Sequence, residues 1–183
     1  RFDLKSVSAP VPAPLLFATL TDTSSVVQPI TTIPLIEISV SDGKRYVFVG
    51  TGRFLDSTDI QNAQQQSFYA IRDGTVDMRF ETTASTTGVA LPTGVTFPIT
   101  RSVLASDLVA GLTTAQITTN PMGWYYNVTG VVNSTVSPFA PVARERINLN
   151  PKASQGFVTW VGNVPDANPC NPNGVSSQYA TTY

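Results

Sequence analysis

Apolar and polar side chains alternate with a period of two in several short stretches of this 183-residue chain. The clearest stretch covers residues 35–40, and such alternation is typical of a strand with one buried face. An Asp-Gly pair, Asp42-Gly43, separates it from a second β-rich run at residues 45–49. Because Asp-Gly between two such runs favours a tight turn, the pattern predicts a β-hairpin here.

Further strand-like runs follow along the chain, while helical signals are few. A single helical turn is predicted over residues 60–64, capped by residues 57–59, and a short helix over residues 102–112. The run that begins at Gln66 is predicted to end at a second Asp-Gly turn, Asp73-Gly74. Strands joined by turns with so little helix predict an all-β fold. The remaining predicted strands cover residues 28–32, 66–72, 124–128, 144–148, 156–162 and 177–182.

Charged residues are scarce in this chain, and their scarcity argues against some classes of binding partner. Charged residues make up 13% of the sequence, about half the usual share, so Thr, Ser, Asn and Gln must keep its surface soluble. The formal net charge is −1 and no basic run occurs, so a nucleic-acid partner is not expected. No stretch reaches the roughly 20 consecutive apolar residues that a membrane-spanning helix needs.

The chain contains no histidine and a single cysteine. The absence of histidine removes the Ser-His-Asp and Cys-His nucleophile systems and every metal site that uses an imidazole ligand. Cys170 has no second cysteine within these residues to pair with. It is therefore either a free thiol or one half of a disulfide to something outside the chain.

One stretch carries the strongest candidate chemistry. Gly50-Thr51-Gly52 follows an apolar strand and precedes two carboxylates, Asp56 and Asp59. A dinucleotide fingerprint needs a third glycine three residues after the second, but position 55 is Leu, and the Gly-Lys-Ser/Thr of a Walker loop is absent. The two carboxylates would also repel a phosphate, so a phosphate-binding loop is not expected.

A calcium loop is the second interpretation of the same stretch, with Asp56 and Asp59 as weak candidate ligands. Calcium takes six to eight oxygen ligands, and residues 61–66 supply no further carboxylate. Asp-Ser-Thr-Asp is more typical of a turn and a helix N-cap. We therefore expect the glycines to let a buried strand turn sharply, and Asp59 to cap the connection that leads to Gln66 and Tyr69.

A series of short motifs occurs in the order seen in one protein family. The first, Arg1-Phe2-Asp3-Leu4, is similar to the end of that family's Gly-Asn-x-Trp-Arg-Phe-Asp-Leu strand. Taken together, the motifs resemble the PilY-type type IV pilus biogenesis and tip-adhesin family, in its C-terminal β-propeller domain. The other motifs are Leu16-Phe17-Ala18, Gln28-Pro29-Ile30-Thr31, residues 47–55 with Asp59, residues 65–73, Thr100-Arg101, residues 123–126, Glu145-Arg146-Ile147, and residues 163–166 with Pro169-Cys170 and Gly174.

The resemblance implies a fold and a set of structural residues. The fold is a quinoprotein-like β-propeller of antiparallel blades with long loops and one short helix, of which residues 1–183 form an incomplete C-terminal portion. No catalytic residue and no cofactor are expected in the chain, and calcium is expected in the family in a loop upstream of Arg1. The residues that form the structural motif are Gly50, Thr51, Gly52, Asp59, Gln66, Tyr69 and Asp73.

The resemblance also implies a non-enzymatic function at the bacterial surface. Family members are exported and associate with the pilus tip or outer membrane, where their partners are pilus subunits such as minor pilins, and host or abiotic surfaces. Unpaired strand edges of a partial propeller should pair with further chain or with copies of the same chain. Two alternatives stay open: a fragment of a quinoprotein-type dehydrogenase propeller, and a generic extracellular binding domain of the lectin type.

Overall fold

The computed structural model of the chain describes residues 14–84, 88–106, 121–129, 145–166 and 174–183. These residues are almost entirely strand, turn and loop, with two short 3-10 helices at Ser57–Gln61 and Arg101–Val103. The strands are β1 (Ala18–Thr19), β2 (Leu35–Ile38), β3 (Lys44–Gly50), β4 (Ser67–Thr75), β5 (Arg79–Glu81), β6 (Gly88–Ala90), β7 (Ile99–Thr100), β8 (Ala105–Ser106), β9 (Gly123–Asn127), β10 (Lys152–Ser154), β11 (Phe157–Pro165) and β12 (Gly174–Thr182).

The largest sheet has five strands in the order β2-β3-β4-β9-β8. Strands β2, β3, β4 and β9 pair antiparallel, and β8 joins β9 in parallel. The hairpin predicted around Asp42-Gly43 is confirmed, with Leu35 opposite Phe48 and Ile38 opposite Arg45. Gly43 has a φ of +64°, which a glycine adopts without the steric cost that a side chain brings.

Alternation along β3 and β4 gives this sheet two buried faces. Phe48 and Phe68 point to one face, whereas Val49 and Tyr69 point to the other. The first face packs against β11 through Trp160. The second face is covered by segments outside the sheet, through Leu20, Phe80, Ile99, Leu104 and Met122. Each such side chain, when fully buried, contributes about 1.5–3 kcal/mol, so both faces stabilise the fold.

A second sheet consists of β10, β11 and β12, all antiparallel. The strands predicted over residues 156–162 and 177–182 are thus confirmed, and both are longer than predicted. Aromatic rings connect this sheet to the first: Trp160 stacks on Phe68 with ring centroids 4.1 Å apart, and on Tyr179 at 5.4 Å. Stacking continues from Phe68 to Phe48 and from Phe48 to Tyr46. We call these five rings the aromatic column.

The turn predicted at Asp73-Gly74 is wrong. Strand β4 runs through both residues, and the chain reverses only after Thr75, whose N–H donates to the Met78 carbonyl at 2.7 Å. Gly74 is needed for a different reason, because a side-chain carbon there would lie 2.8 Å from the Arg79 Cα. The glycine therefore permits a close crossing of two backbones, which an Asp-Gly signal does not distinguish from a hairpin turn.

Three further predictions of secondary structure differ from the fold. Residues 28–32 do not form a strand, and the described part of residues 144–148 contains only an isolated bridge between Arg146 and Asn163. The helix predicted over residues 102–112 is replaced in its described part by a 3-10 turn and by β8. Residues 107–112 lie outside the described ranges. These segments take their conformation from backbone contacts with distant strands, which override local preference.

The all-β prediction is confirmed for the part of the chain that the structure describes. Its sheets stay open: each has two free edges in the strand orders observed. In the same residues no helix is long and apolar enough to cross a membrane.

Candidate functional site

Four segments of the chain meet at one end of the five-stranded sheet, where Gly50-Thr51-Gly52 leads out of β3. The Gly52 N–H donates to the Pro29 carbonyl at 2.8 Å, and the Thr51 N–H donates to the Ser67 carbonyl at 3.0 Å. From the other side the Ile147 N–H donates to the Thr51 carbonyl at 2.9 Å. The motif therefore holds together the segment before β2, the start of β4 and a segment from far along the chain.

The two glycines make room for that last segment, residues 145–148, which we call the crossing segment. A side-chain carbon at Gly50 would lie 2.7 Å from the Ile147 Cβ, and one at Gly52 would lie 3.0 Å from the Arg146 Cα. Gly52 also has a φ of +126°, which disfavours any residue with a side chain. The close approach of another backbone is thus the main reason for glycine at positions 50 and 52. From the sequence we expected these glycines only to let the strand turn sharply.

Asp59 lies at the centre of the loop that follows. Its side chain is fully buried, and Oδ1 accepts a hydrogen bond from Arg53 Nε at 2.7 Å. Oδ2 accepts the backbone N–H groups of Leu55 at 2.8 Å and Asp56 at 3.3 Å. The Leu55 N–H, together with the Arg53 guanidinium, holds the pKa of this carboxyl below its usual range. Both carboxylate oxygens are thus occupied by donors from the protein.

Asp56 caps the 3-10 helix Ser57–Gln61. Its Oδ1 accepts the N–H and the hydroxyl of Thr58 at 2.7 and 2.5 Å, and the N–H of Asp59 at 3.3 Å. The cap therefore lies one residue earlier than predicted, and the helical turn begins at Ser57 instead of Ile60. Hydrogen bonds from Thr58 lower the pKa of the Asp56 carboxyl. Among the described residues no group of three or more metal-ligating side chains comes together.

Arg146 is the functional position that the sequence did not assign. It is 3% exposed, and its guanidinium donates to the carbonyls of Asp59 at 2.6 Å and Asn62 at 3.0 Å. The same guanidinium lies over the Phe54 ring at 5.8 Å. The Glu145-Arg146-Ile147 motif marked this position, but its partners are more than 80 residues away in sequence. The buried Arg146 side chain therefore stabilises the loop that contains Asp59 and Asn62 through hydrogen bonds to its backbone.

Tyr69 lies in a neighbouring polar cluster on the second face of the sheet, and Gln66 is buried just before β4. The Tyr69 hydroxyl lies 2.5 Å from Gln28 Oε1 and 3.0 Å from the Thr21 carbonyl, and burial raises its pKa. Gln66 donates from Nε2 to the Gln64 carbonyl at 3.2 Å. Arg101 completes the cluster by donating to the Thr21 carbonyl at 2.8 Å and by stacking on Tyr125.

The predicted motif residues are therefore only partly brought together. Gly50, Thr51, Gly52 and Asp59 gather under the crossing segment, and Thr51 connects them to β4 through a 2.8 Å hydrogen bond from the Ser67 N–H. Asp73 is buried near the opposite end of β4, away from this site. Cys170 lies outside the described residues.

Large hydrophobic side chains are exposed on the loops at this same end of the molecule. Leu55 is 76% exposed and Ile33 is 69% exposed. Their loops are held by hydrogen bonds: Gln64 Nε2 donates to the Val27 carbonyl at 3.0 Å, and the Ile33 N–H donates to Asn150 Oδ1 at 2.9 Å. We call this group the loop-end surface; it comprises Val26, Val27, Ile30, Ile33, Phe54, Leu55 and Leu149.

Comparisons with known proteins support the family resemblance. No family model matches the chain. A type IV pilus biogenesis factor PilY1 homolog from Xylella fastidiosa is 43% identical over 61 residues, which are 33% of this chain and 5% of that protein. The crystal structure of the Pseudomonas aeruginosa PilY1 C-terminal domain matches 91% of this chain with a TM-score of 0.56 and 19% identity.

The structural match covers 33% of the Pseudomonas aeruginosa chain and, at that identity, shows similarity of fold alone. The chain thus spans a small part of either protein. Together the two matches confirm the PilY-type resemblance.

Proposed function

We propose that this PilY-type chain is part of a β-propeller in a non-enzymatic component of type IV pilus biogenesis, and that it binds through its loop-end surface. Its partners in this proposal are pilus subunits, such as minor pilins, and host or abiotic surfaces, which it meets outside the cell. Support comes from the similarity to a protein named as a type IV pilus biogenesis factor, and from the similarity of fold to a PilY1 C-terminal domain.

The loop-end surface is the observation that carries the binding role. Large apolar side chains exposed in one region of a soluble domain mark interaction sites more often than an even scatter does. Here they lie on loops fixed by hydrogen bonds: the buried Arg146 and Asp59 side chains hold residues 53–62, and the partly exposed Gln64 side chain holds residues 26 and 27. Loops that are already ordered lose less conformational entropy on binding, so apolar contacts yield more affinity.

The polar groups beneath this surface support a structural role over catalysis. Both oxygens of the Asp59 carboxylate accept hydrogen bonds, from Arg53 and from two backbone N–H groups, and the Arg146 guanidinium donates to two carbonyls of the loop. The chain has no histidine to act as a general base near neutral pH. These groups stabilise the loops that carry the surface.

The experiment compares two triple variants that remove equal numbers of exposed hydrophobic residues. The test variant carries Val27→Ser, Ile33→Ser and Leu55→Ser at the loop-end surface. The control carries Val40→Ser, Val76→Ser and Phe157→Ser, which are exposed elsewhere. Each is produced as the 183-residue chain, and adsorption to methyl-terminated and hydroxyl-terminated surfaces is measured with a quartz crystal microbalance.

The test variant should adsorb several-fold less to the methyl-terminated surface, while the control should match the wild type. The same substitutions in the bacterium's own gene should reduce the pili sheared from its surface, which tests the pilus role separately. If both variants adsorb equally, the loop-end surface is not the binding surface, and that part of the proposal is wrong. Normal piliation after deletion of the whole gene would remove the pilus role itself.

A further inference from the structure

The outer edges of the two larger sheets, as far as the structure describes them, fall into two kinds. Three outermost strands are short: β2 has four residues, β8 two and β10 three. Strand β2 follows Pro34 and contains Glu37, and β10 follows Pro151 and begins with Lys152. Short length, proline and charge are the devices by which soluble proteins prevent unwanted strand pairing. These three edges are therefore protected.

The fourth edge, β12, has none of these devices. It is nine residues long, its sequence Gly-Val-Ser-Ser-Gln-Tyr-Ala-Thr-Thr contains no charge and no proline, and its pairing with β11 is regular from Gly174 to Thr182. No bulge interrupts that register. On its outer side no strand of the described residues pairs with it. A long, regular, uncharged edge of this kind is a template for another strand.

We propose that β12 is a self-association edge, through which two copies of this chain pair antiparallel about a two-fold axis. With the axis at Gln178, all nine residues of β12 find a partner: Gln178 lies opposite itself, Ser177 opposite the partner's Tyr179, and Val175 opposite the partner's Thr181. No charge meets a like charge in this register, and the contact is isologous, as a closed dimer requires. The sheet then runs continuously from β10 of one copy to β10 of the other.

The paired edge should be weak on its own. A pair of strand edges buries far less than the roughly 1,200 Å² of a stable standard interface, so association should depend on concentration. Backbone hydrogen bonds then supply most of the affinity, and the side chains fix the register. This inference goes beyond the proposed function and does not depend on the loop-end surface, so either can fail alone.

The test places a charged residue at position 178, on the proposed two-fold axis. Gln178 is exposed, so Gln178→Lys and Gln178→Glu should fold normally, but each sets two like charges opposite one another and should destabilise the pair. An equimolar mixture sets Lys opposite Glu and should restore it. Ser154→Lys on β10 is the matched control, since it adds the same charge to the same sheet at an exposed position on another edge.

Sedimentation velocity over a range of concentrations measures the outcome. We expect wild type and Ser154→Lys to form dimers as concentration rises, the two Gln178 variants to stay monomeric, and their mixture to dimerise. Any one of three results would overturn the proposal. The wild type could be monomeric at every concentration, the Gln178→Lys variant could dimerise like the wild type, or the mixture could stay monomeric. Hydrogen exchange identifies the alternative occupant: β12 amides protected in a monomer would show that another segment of the chain covers this edge.

Discussion

Gly52 lies directly under Arg146: a side-chain carbon at Gly52 would come within 3.0 Å of the Arg146 Cα and 3.1 Å of the Ile147 nitrogen. Both obstacles are backbone atoms, which cannot rotate away as the end of a side chain can. The crossing segment therefore occupies the space that any other residue at position 52 would need. The absence of a side chain at position 52, as at Gly50, therefore allows the crossing segment to pack against the motif.

The Gly52→Ala variant should be clearly destabilised. Overpacking of this kind costs roughly 1–3 kcal/mol, and the φ of +126° adds strain for a residue with a side chain. Gly94→Ala is the control, because Gly94 has a φ of +82° with open space around it, so it carries backbone strain without overlap. Urea unfolding measures both variants. An equal loss in the two would show that the crossing segment moves away at little cost.

Asp59→Asn should destabilise the loop most at neutral pH and least in acid. The Leu55 N–H and the Arg53 guanidinium keep the pKa of Asp59 below the ordinary value of 3.8. The carboxylate therefore stabilises the fold above that pH, and its contribution is lost as pH falls through the lowered pKa. The unfolding free energies of wild type and variant should differ at pH 7 and converge as the pH falls below the lowered pKa of Asp59. Asp77→Asn, which removes the same charge from an exposed turn, is the control for the loss of one negative charge.

The sequence predicted best those elements that depend on neighbouring residues. The hairpin at Asp42-Gly43 and the strand around Trp124 follow from alternation and turn chemistry within a dozen residues. The turn predicted at Asp73-Gly74 is wrong because Gly74 is needed for the close approach of Arg79 and not for a turn. Arg146 reaches Asp59 across 87 residues, and no local pattern encodes such a contact.

Alkaline pH should unfold the protein partly through Tyr46. Burial raises the pKa of Tyr46 from 10.0 to about 12, because the fold disfavours the charged phenolate. The neutral phenol thus contributes fully below pH 10, and this contribution is lost as pH rises towards 12, by roughly 2–3 kcal/mol in all. Tyr46→Phe keeps the ring in the aromatic column but cannot ionise, so it should lose less stability between pH 10 and 12. An identical pH profile for both proteins would contradict this assignment.

Calcium should not bind the 183-residue chain with sub-millimolar affinity. Calcium needs six to eight oxygen ligands, and both oxygens of Asp59 are already engaged by Arg53 and backbone donors. Calorimetric titration with calcium chloride should give only heats of dilution. A stoichiometric heat that disappears in Asp56→Ala would show that the loop after Gly52 is a calcium site after all.

The chain should show no quinoprotein dehydrogenase activity. Such a reaction requires a carboxylate base beside the cofactor, and the Asp59 carboxylate is buried with both of its oxygens engaged by Arg53 and backbone donors. Pyrroloquinoline quinone and calcium added to the purified chain should therefore give no alcohol-dependent reduction of a dye. A known quinoprotein dehydrogenase serves as the positive control, and turnover by this chain would favour the enzymatic alternative.

The crossing segment also determines how the molecule resists mechanical force. Its backbone exchanges two hydrogen bonds between Arg146 and Asn163 on β11, and a third runs from the Ile147 N–H to the Thr51 carbonyl beside β3. We therefore expect tension that separates the two sheets to act on these three bonds. Under load, we expect the molecule to open first where the crossing segment packs against Gly50 and Gly52.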